Sequence, residues 1–187
     1  MQLTTTRLRL DGLRREDAEV LFRYRADPEV SRYQGWRPAF VDDARRFIEA
    51  CHAVAPDTPG TWFQRAIRWS RTDELIGDVG LHFVADAEAA VELGISLSPA
   101  YQKRGIATEA LNAVLGFVFD GLHKHRVFGS VDPRNHASIK LLEGVGMRKE
   151  AHFRESLRMD GEWADDVIYA MLDREWQACC TAKPHRG

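Results

Sequence analysis

Three cysteines are too few, and wrongly spaced, to organise this chain: Cys51 stands alone and Cys179 and Cys180 are adjacent. Adjacent cysteines rarely bridge each other, and no histidine stands at metal-ligand spacing from them. Neither a disulfide framework nor a metal site is expected. An excess of one charge is also lacking. Lysines and arginines number 26 against 28 aspartates and glutamates, a net charge of -2, and the two signs are interspersed. That balance leaves no electrostatic footprint for nucleic acid or an anionic membrane, so neither is expected as a partner. No apolar run approaches the length of a membrane span, and the stretch from Met1 to Arg9 has no signal-peptide core, which points to the cytoplasm. Repeats and linker-like stretches are missing as well. What is present, 44% apolar and 29% charged residues over 187 positions, is the composition of an ordinary globular protein. One domain over residues 1–176 is expected, with a loose tail over 177–187.

Residue patterns give an order of elements. Arg7–Leu10 alternates polar and apolar residues and reads as a strand. Helical stretches follow at Asp17–Arg25, broken by Asp27-Pro28, and at roughly Val41–Val54. Two strands are expected near Trp62–Trp69 and Leu75–Val84, around the turn Arg71-Thr72-Asp73. The clearest strand comes next. Val91, Leu93, Ile95 and Leu97 face one way and Glu92, Gly94, Ser96 and Ser98 the other, until Pro99 ends the run. A long helix is then expected from apolar rows through Ile106, Ala110, Val114, Val118 and Ala107, Leu111, Leu115, Phe119, stopping at Gly121. Val127–Val131 reads as a strand and Asn135–Gly144 as a short helix. Arg148–Met159 and Trp163–Leu172 read as strands joined at Asp160-Gly161. The order predicts an α/β (α+β) layer with a mixed, mostly antiparallel central sheet flanked by helices.

Between the clearest strand and the long helix lies Gln102-Lys103-Arg104-Gly105-Ile106-Ala107. The first turn of a helix has unpaired N–H groups and the positive end of the macrodipole, so it suits phosphate. Gly105 lets the backbone come close to such a ligand, Ala107 is small, and Lys103 and Arg104 add charge. A tight turn that binds nothing is the competing reading. The segment has neither the Gly-Lys-Ser/Thr ending of a nucleotide P-loop nor the three glycines of a dinucleotide site.

Here the sequence resembles the GNAT superfamily of N-acetyltransferases, marked by Gln/Arg-x-x-Gly-x-Gly/Ala between a strand and a helix. Gln102, Gly105 and Ala107 match. A second stretch, Val131-Asp132-Pro133-Arg134-Asn135-His136-Ala137-Ser138 followed by Leu141, Leu142 and Val145-Gly146-Met147, resembles the family's Asn-x-x-Ser helix, with Met147 where an aromatic is usual. The opening Thr6-Arg7-Leu8-Arg9-Leu10 and the hairpin Gly161-Glu162-Trp163-Ala164-Asp165, with Tyr169 beyond it, are similar to the branch containing ribosomal-protein N-terminal acetyltransferases. The resemblance spans Thr5 to about Trp176. It implies an acetyl-CoA-dependent transferase acting on a primary amine by direct attack. Backbone groups of Ile95, Ser96 and Leu97 would pair with the pantetheine arm. Gln102, Lys103, Arg104, Gly105, Ile106, Ala107 and Thr108 would hold the pyrophosphate. Asn135 and Ser138 would lie near the pantetheine and the thioester sulfur.

Acetyl transfer requires a neutral amine and a proton for the leaving thiolate. A lysine amine near pKa 10.4 is rarely neutral at pH 7, whereas about one α-amine in ten is. Glu92, on the polar face of its strand, is the candidate base, against the alternative of a solvent-facing strand glutamate. Ser138 is the candidate acid, against the alternative of a helix-capping serine. Relatives with a tyrosine one turn later differ here, because Leu142 fills that place; Tyr169 is the fallback donor. His123, His125 and His136 are expected to be solvated, and Trp163 to pack. Trp36, Arg37, Phe40, Trp62 and Phe63 fall where the family builds its acceptor cleft. The lead acceptor is a protein N-terminus, with an aminoglycoside or polyamine as rival. A non-catalytic acyl-CoA-binding module is the alternative outside enzymes. Exposed strand edges also point to a homodimer.

Overall fold

A computed structural model describes residues 1–87, 89–159 and 161–182. Eight strands form one sheet: β1 (Leu3–Thr4), β2 (Leu8–Asp11), β3 (Thr61–Trp69), β4 (Leu75–Phe83), β5 (Ala90–Leu97), β6 (Arg126–Val131), β7 (Arg148–Met159) and β8 (Glu162–Leu172). Their order across the sheet is β1-β2-β3-β4-β5-β6-β8-β7. Each neighbouring pair is antiparallel except β5 and β6, which run parallel across the helical connection between them. The mostly antiparallel mixed sheet expected from the sequence is present.

Helices cover both faces because the strands alternate. On one face Phe63, Ile67, Val79, Leu81, Val91 and Leu93 pack with Ile106, Leu111, Val114 and Leu115 of α4 (Ile106–Gly116). A π-helical turn over Phe117–Gly121 continues α4 to the expected stop at Gly121. On the other face Ala66 and Leu75 meet α1 (Ala18–Arg25) and α3 (Val41–His52). The buried residues Ala44, Ile48 and Cys51 of α3 recur at the spacing of one helix face. Cys51 is part of this packing. Burial pushes its thiol up to about 11, which suits a structural rather than a reactive cysteine.

Three local expectations change. Asp27-Pro28 does not simply break a helix: the Asp27 carboxylate accepts from the Glu29 N–H and Pro28 opens a short helix, α2 (Pro28–Ser31). The short strand β1 precedes the expected first strand. The tail expected to be loose from residue 177 is helical through Ala182, in α6 (Asp173–Ala182). That helix is held from a distance: Trp176 Nε1–H and the Gln177 amide both donate to Asp120, at 3.1 Å and 2.8 Å. Residues 183–187, and Asp160 of the expected turn, lie outside the described residues.

Candidate active site

The parallel pairing of β5 with β6 covers Ala90↔Arg126, Val91↔Val127 and Glu92↔Phe128, and then stops. Both strands continue, β5 to Leu97 and β6 to Val131, so they part beyond Glu92. On its other side β5 stays paired with β4 down to Leu97. The separated edge of β5 therefore turns a row of backbone N–H and C=O groups towards the gap. A cavity of about 410 Å³ fills the opening, lined by Leu93, Gly94 and Ile95 on one side and Gly129, Ser130 and Val131 on the other. Among the described residues, Ser96 Oγ is one of two buried side-chain polar atoms with no hydrogen-bond partner, the other being Arg65 Nε. The β5 segment thus carries an unmatched polar atom as well as an unpaired edge.

β5 leads through Pro99–Tyr101 to the loop before α4. Gly105 sits at the helix N-cap with φ 72° and ψ 8°, and Lys103 is also left-handed at φ 57°. The glycine takes this conformation without strain; the lysine does not. No side chain caps the helix, and its first backbone bond runs from Glu109 N–H to Gly105 C=O at 3.1 Å. The first-turn amides of Ile106, Ala107 and Thr108 therefore have no helical acceptor. Arg7 brackets the turn: Nη1 donates to Arg104 C=O at 3.0 Å and Nε ion-pairs with Glu109 at 2.6 Å. Sequence reasoning missed this strap, because the partners lie about a hundred residues apart in the chain.

The loop side chains divide by role. Gln102 gives its amide to Leu97 C=O at 3.0 Å, tying the loop to the end of β5. Lys103 and Arg104 are exposed. The Arg104 guanidinium lies over the rings of Tyr101 and Trp69, at 5.4 Å and 5.5 Å. Ile106 is buried in the core, leaving its N–H as the part that faces the loop.

Glu92 and Ser138 line the same cavity, as do Asn135, Leu141 and Leu142. Glu92 stands at the last paired position before the strands part, with Oε2 3.3 Å from His82 Nδ1. α5 (His136–Gly144) brings Ser138 to the other side. Asn135, not Ser138, is the cap of α5: its Oδ1 accepts from the Ser138 backbone N–H at 3.1 Å. The capping alternative for the Ser138 hydroxyl therefore fails. Tyr169, the fallback donor, is not among the cavity residues. It is buried, and its hydroxyl donates to Glu143 Oε1 at 3.0 Å. Burial first, and that hydrogen bond second, push its pKa up. His123, His125 and His136 are exposed, as expected.

The aromatic residues expected around an acceptor separate. Phe63 is core and Phe40 is 72% exposed, while Trp36 stacks on Phe47 with centroids 4.4 Å apart. Trp62 alone of this group lines the cavity. Trp163, expected to pack, is 63% exposed. The rest of the wall comes from Tyr33, Gln34 and Gly35 after α2, from Asp132 after β6, and from Leu157, Arg158, Met159 and Asp165 of the hairpin. Behind Gln34 lies a buried ion pair. Asp78 accepts from Tyr24 at 2.5 Å, from Arg25 and from Gln64, and Arg25 Nη1 reaches Gln34 Oε1 at 3.2 Å. Sequence reasoning missed Asp78, whose charge is hidden inside an apolar strand. A wider hollow of about 660 Å³ on the outer hairpin, lined by residues 152–156 and Asp165, is separate from the parted strands.

The acetyltransferase (GNAT) domain family matches residues 7–148. An N-acetyltransferase called p20 from Bacillus licheniformis, itself uncharacterised, is 31% identical over 175 residues, 93% of this chain and 97% of that one. The ribosomal protein uS5-alanine N-acetyltransferase of Escherichia coli is 33% identical over 87 residues, 46% of this chain and 45% of that one. The spermidine N(1)-acetyltransferase of the same organism is 22% identical over 173 residues, 91% of this chain and 89% of that one. A crystal structure of a GNAT-family acetyltransferase from Bacillus anthracis superposes with a TM-score of 0.83 at 24% identity, covering 93% of this chain and 99% of that one. Members of the family use acetyl-CoA as cosubstrate, and this chain belongs to the GNAT family of N-acetyltransferases.

Proposed function

We propose that the chain acetylates a protein N-terminal α-amine by direct attack, within the opening between β5 and β6. One observation carries the transfer and its place: the strands part immediately after Glu92, and the separated edge of β5 leads onto the uncapped, left-handed start of α4, while the α-amine acceptor is supported by the similarity to the uS5-alanine N-acetyltransferase. Acetyl-CoA supplies the activated acetyl group. Its pantetheine arm suits the edge of β5 at Ile95, Ser96 and Leu97 that faces away from β4 and no longer pairs with β6. Its pyrophosphate suits the backbone from Gln102 to Thr108, flanked by the exposed cations Lys103 and Arg104. Asn135 holds the first turn of α5 so that Ser138 lines the cavity opposite β5.

Glu92 takes the proton of the incoming amine at its carboxylate, and Ser138 Oγ gives a proton to the departing sulfur. An α-amine suits a single partly exposed carboxylate, because an appreciable fraction is already neutral at pH 7. A small polyamine is the second reading, favoured by the lining itself. Glu92, Asp132 and Asp165 face the cavity against the single cation Arg158. The free edges of β1 and β7 support a homodimer.

The acceptor is tested by incubating the protein and acetyl-CoA with spermidine, an aminoglycoside, and peptides that have either a free or a blocked N-terminus. Intact-mass analysis then reads which of them gains an acetyl group. Acetylation of free-N-terminus peptides alone supports the first reading, and acetylation of spermidine alone replaces it with the second.

A further inference from the structure

Trp62, His82 and Glu92 stand side by side across β3, β4 and β5, in register at Trp62↔His82 and His82↔Glu92. The next cross-strand row explains how they are held. A side chain at Gly80 would put its Cβ 2.9 Å from Trp62 Cε3 and 2.5 Å from Gln64 Oε1, so only glycine leaves room for the indole. The ring reaches over Gly80 towards Gly94, where a Cβ would still be 3.9 Å from Trp62 Cζ3. Placed there, the indole stacks on His82 with centroids 5.0 Å apart and planes 13° apart. The imidazole is thereby fixed in plane, with Nδ1 3.3 Å from Glu92 Oε2.

We infer that His82 is a positioning residue for the base, its imidazole orienting the Glu92 carboxylate, with Trp62 as the clamp that holds the imidazole. This rests on the assignment of Glu92 as the base. With Nδ1–H donating to Oε2, Glu92 keeps its other oxygen free to accept the amine's proton. Few other charges face them. Trp62 and Gln64 on β3 are neutral. The cavity wall after α2 contributes Tyr33, Gln34 and Gly35. Across the cavity stand Arg158, Asp132, which is ion-paired with Arg134, and Asp165, which is paired with His152.

The test compares three variants of the full chain, His82→Asn, His82→Leu and Glu92→Gln. It reads kcat and kcat/KM from pH 5 to 9, together with acetyl-CoA affinity and thermal melts. Asparagine offers an amide donor near the place of Nδ1 but does not titrate; leucine offers neither. The expected result is a fall in kcat of about 10–100-fold for His82→Leu, the scale seen when an orienting partner is lost. Much of that turnover returns in His82→Asn, which restores a donor to the Glu92 carboxylate. Acetyl-CoA affinity stays within about threefold in both, because they leave the pyrophosphate loop intact. If both histidine variants keep the parent turnover and pH profile while Glu92→Gln is impaired, His82 merely packs against Trp62 and the inference is overturned. If Glu92→Gln is itself fully active, the base assignment fails and the inference falls with it.

Discussion

Replacing Ser138 and Asn135 separately by alanine distinguishes a chemical role from a structural one on the same helix. The Asn135 side chain caps α5 by accepting from the Ser138 N–H at 3.1 Å. Its loss should cost about 1 kcal/mol, the usual value of a cap. For a chain of this size that lowers Tm by about 2–4 °C. The Ser138 hydroxyl does not serve as the cap and lines the cavity, so Ser138→Ala should cost less than about 0.5 kcal/mol. Turnover should respond the opposite way. If Ser138 Oγ protonates the leaving sulfur, Ser138→Ala lowers kcat by about 10²–10⁴-fold, with a smaller effect on acetyl-CoA affinity. The assay is steady-state release of free thiol from acetyl-CoA, run beside calorimetric melts of both variants. A fully active Ser138→Ala would refute the serine's part in the chemistry. So would a Ser138→Ala that melts as early as Asn135→Ala and retains its turnover per folded molecule.

Further tests follow from neighbouring groups. Tyr169→Phe removes a buried hydroxyl that donates to Glu143 away from the cavity, so it should cost about 1 kcal/mol in urea melts and leave kcat unchanged. Arg104→Ala should raise the KM for acetyl-CoA about tenfold, with kcat changed only a few-fold, because a phosphate contact is the same in ground and transition states. Gly105→Val forces a β-branched residue to φ 72°, a strain of about 1–2 kcal/mol, and should weaken acetyl-CoA binding in calorimetric titration far more than it weakens folding. Asp78→Ala leaves the buried Arg25 guanidinium uncompensated and should lower stability by about 3–5 kcal/mol in denaturant melts.

Much of this architecture could be read from local patterns. The two-residue alternation shows in the burial of β5 from Ala90 to Gly94 and breaks at Ile95, which is half-buried, and at Ser96, which is buried, while the glycine before α4 is where a left-handed turn was needed. Features set by register or by distant contacts were not legible. His82 meets Glu92 only through the pairing of β4 with β5, whose connecting loop is too long to fix register by turn type. Asn135 and Ser138 are equally good capping residues in sequence, and only the backbone geometry shows which of them caps. Helix α6 depends on Asp120, 56 residues before Trp176. The strap from Arg7 to Glu109 was hidden for the same reason.

The most direct test of catalysis in the opened strand pair is thiol release from acetyl-CoA across a panel of amines, with acetyl-CoA binding measured on the same samples. Amine-dependent release of one thiol for each acetyl group gained by the acceptor, lost in Glu92→Gln while acetyl-CoA still binds, is the expected result. Tight acetyl-CoA binding with no amine-dependent thiol release from any member of the panel would contradict it, and would mark the chain as an acyl-CoA-binding module that has lost turnover.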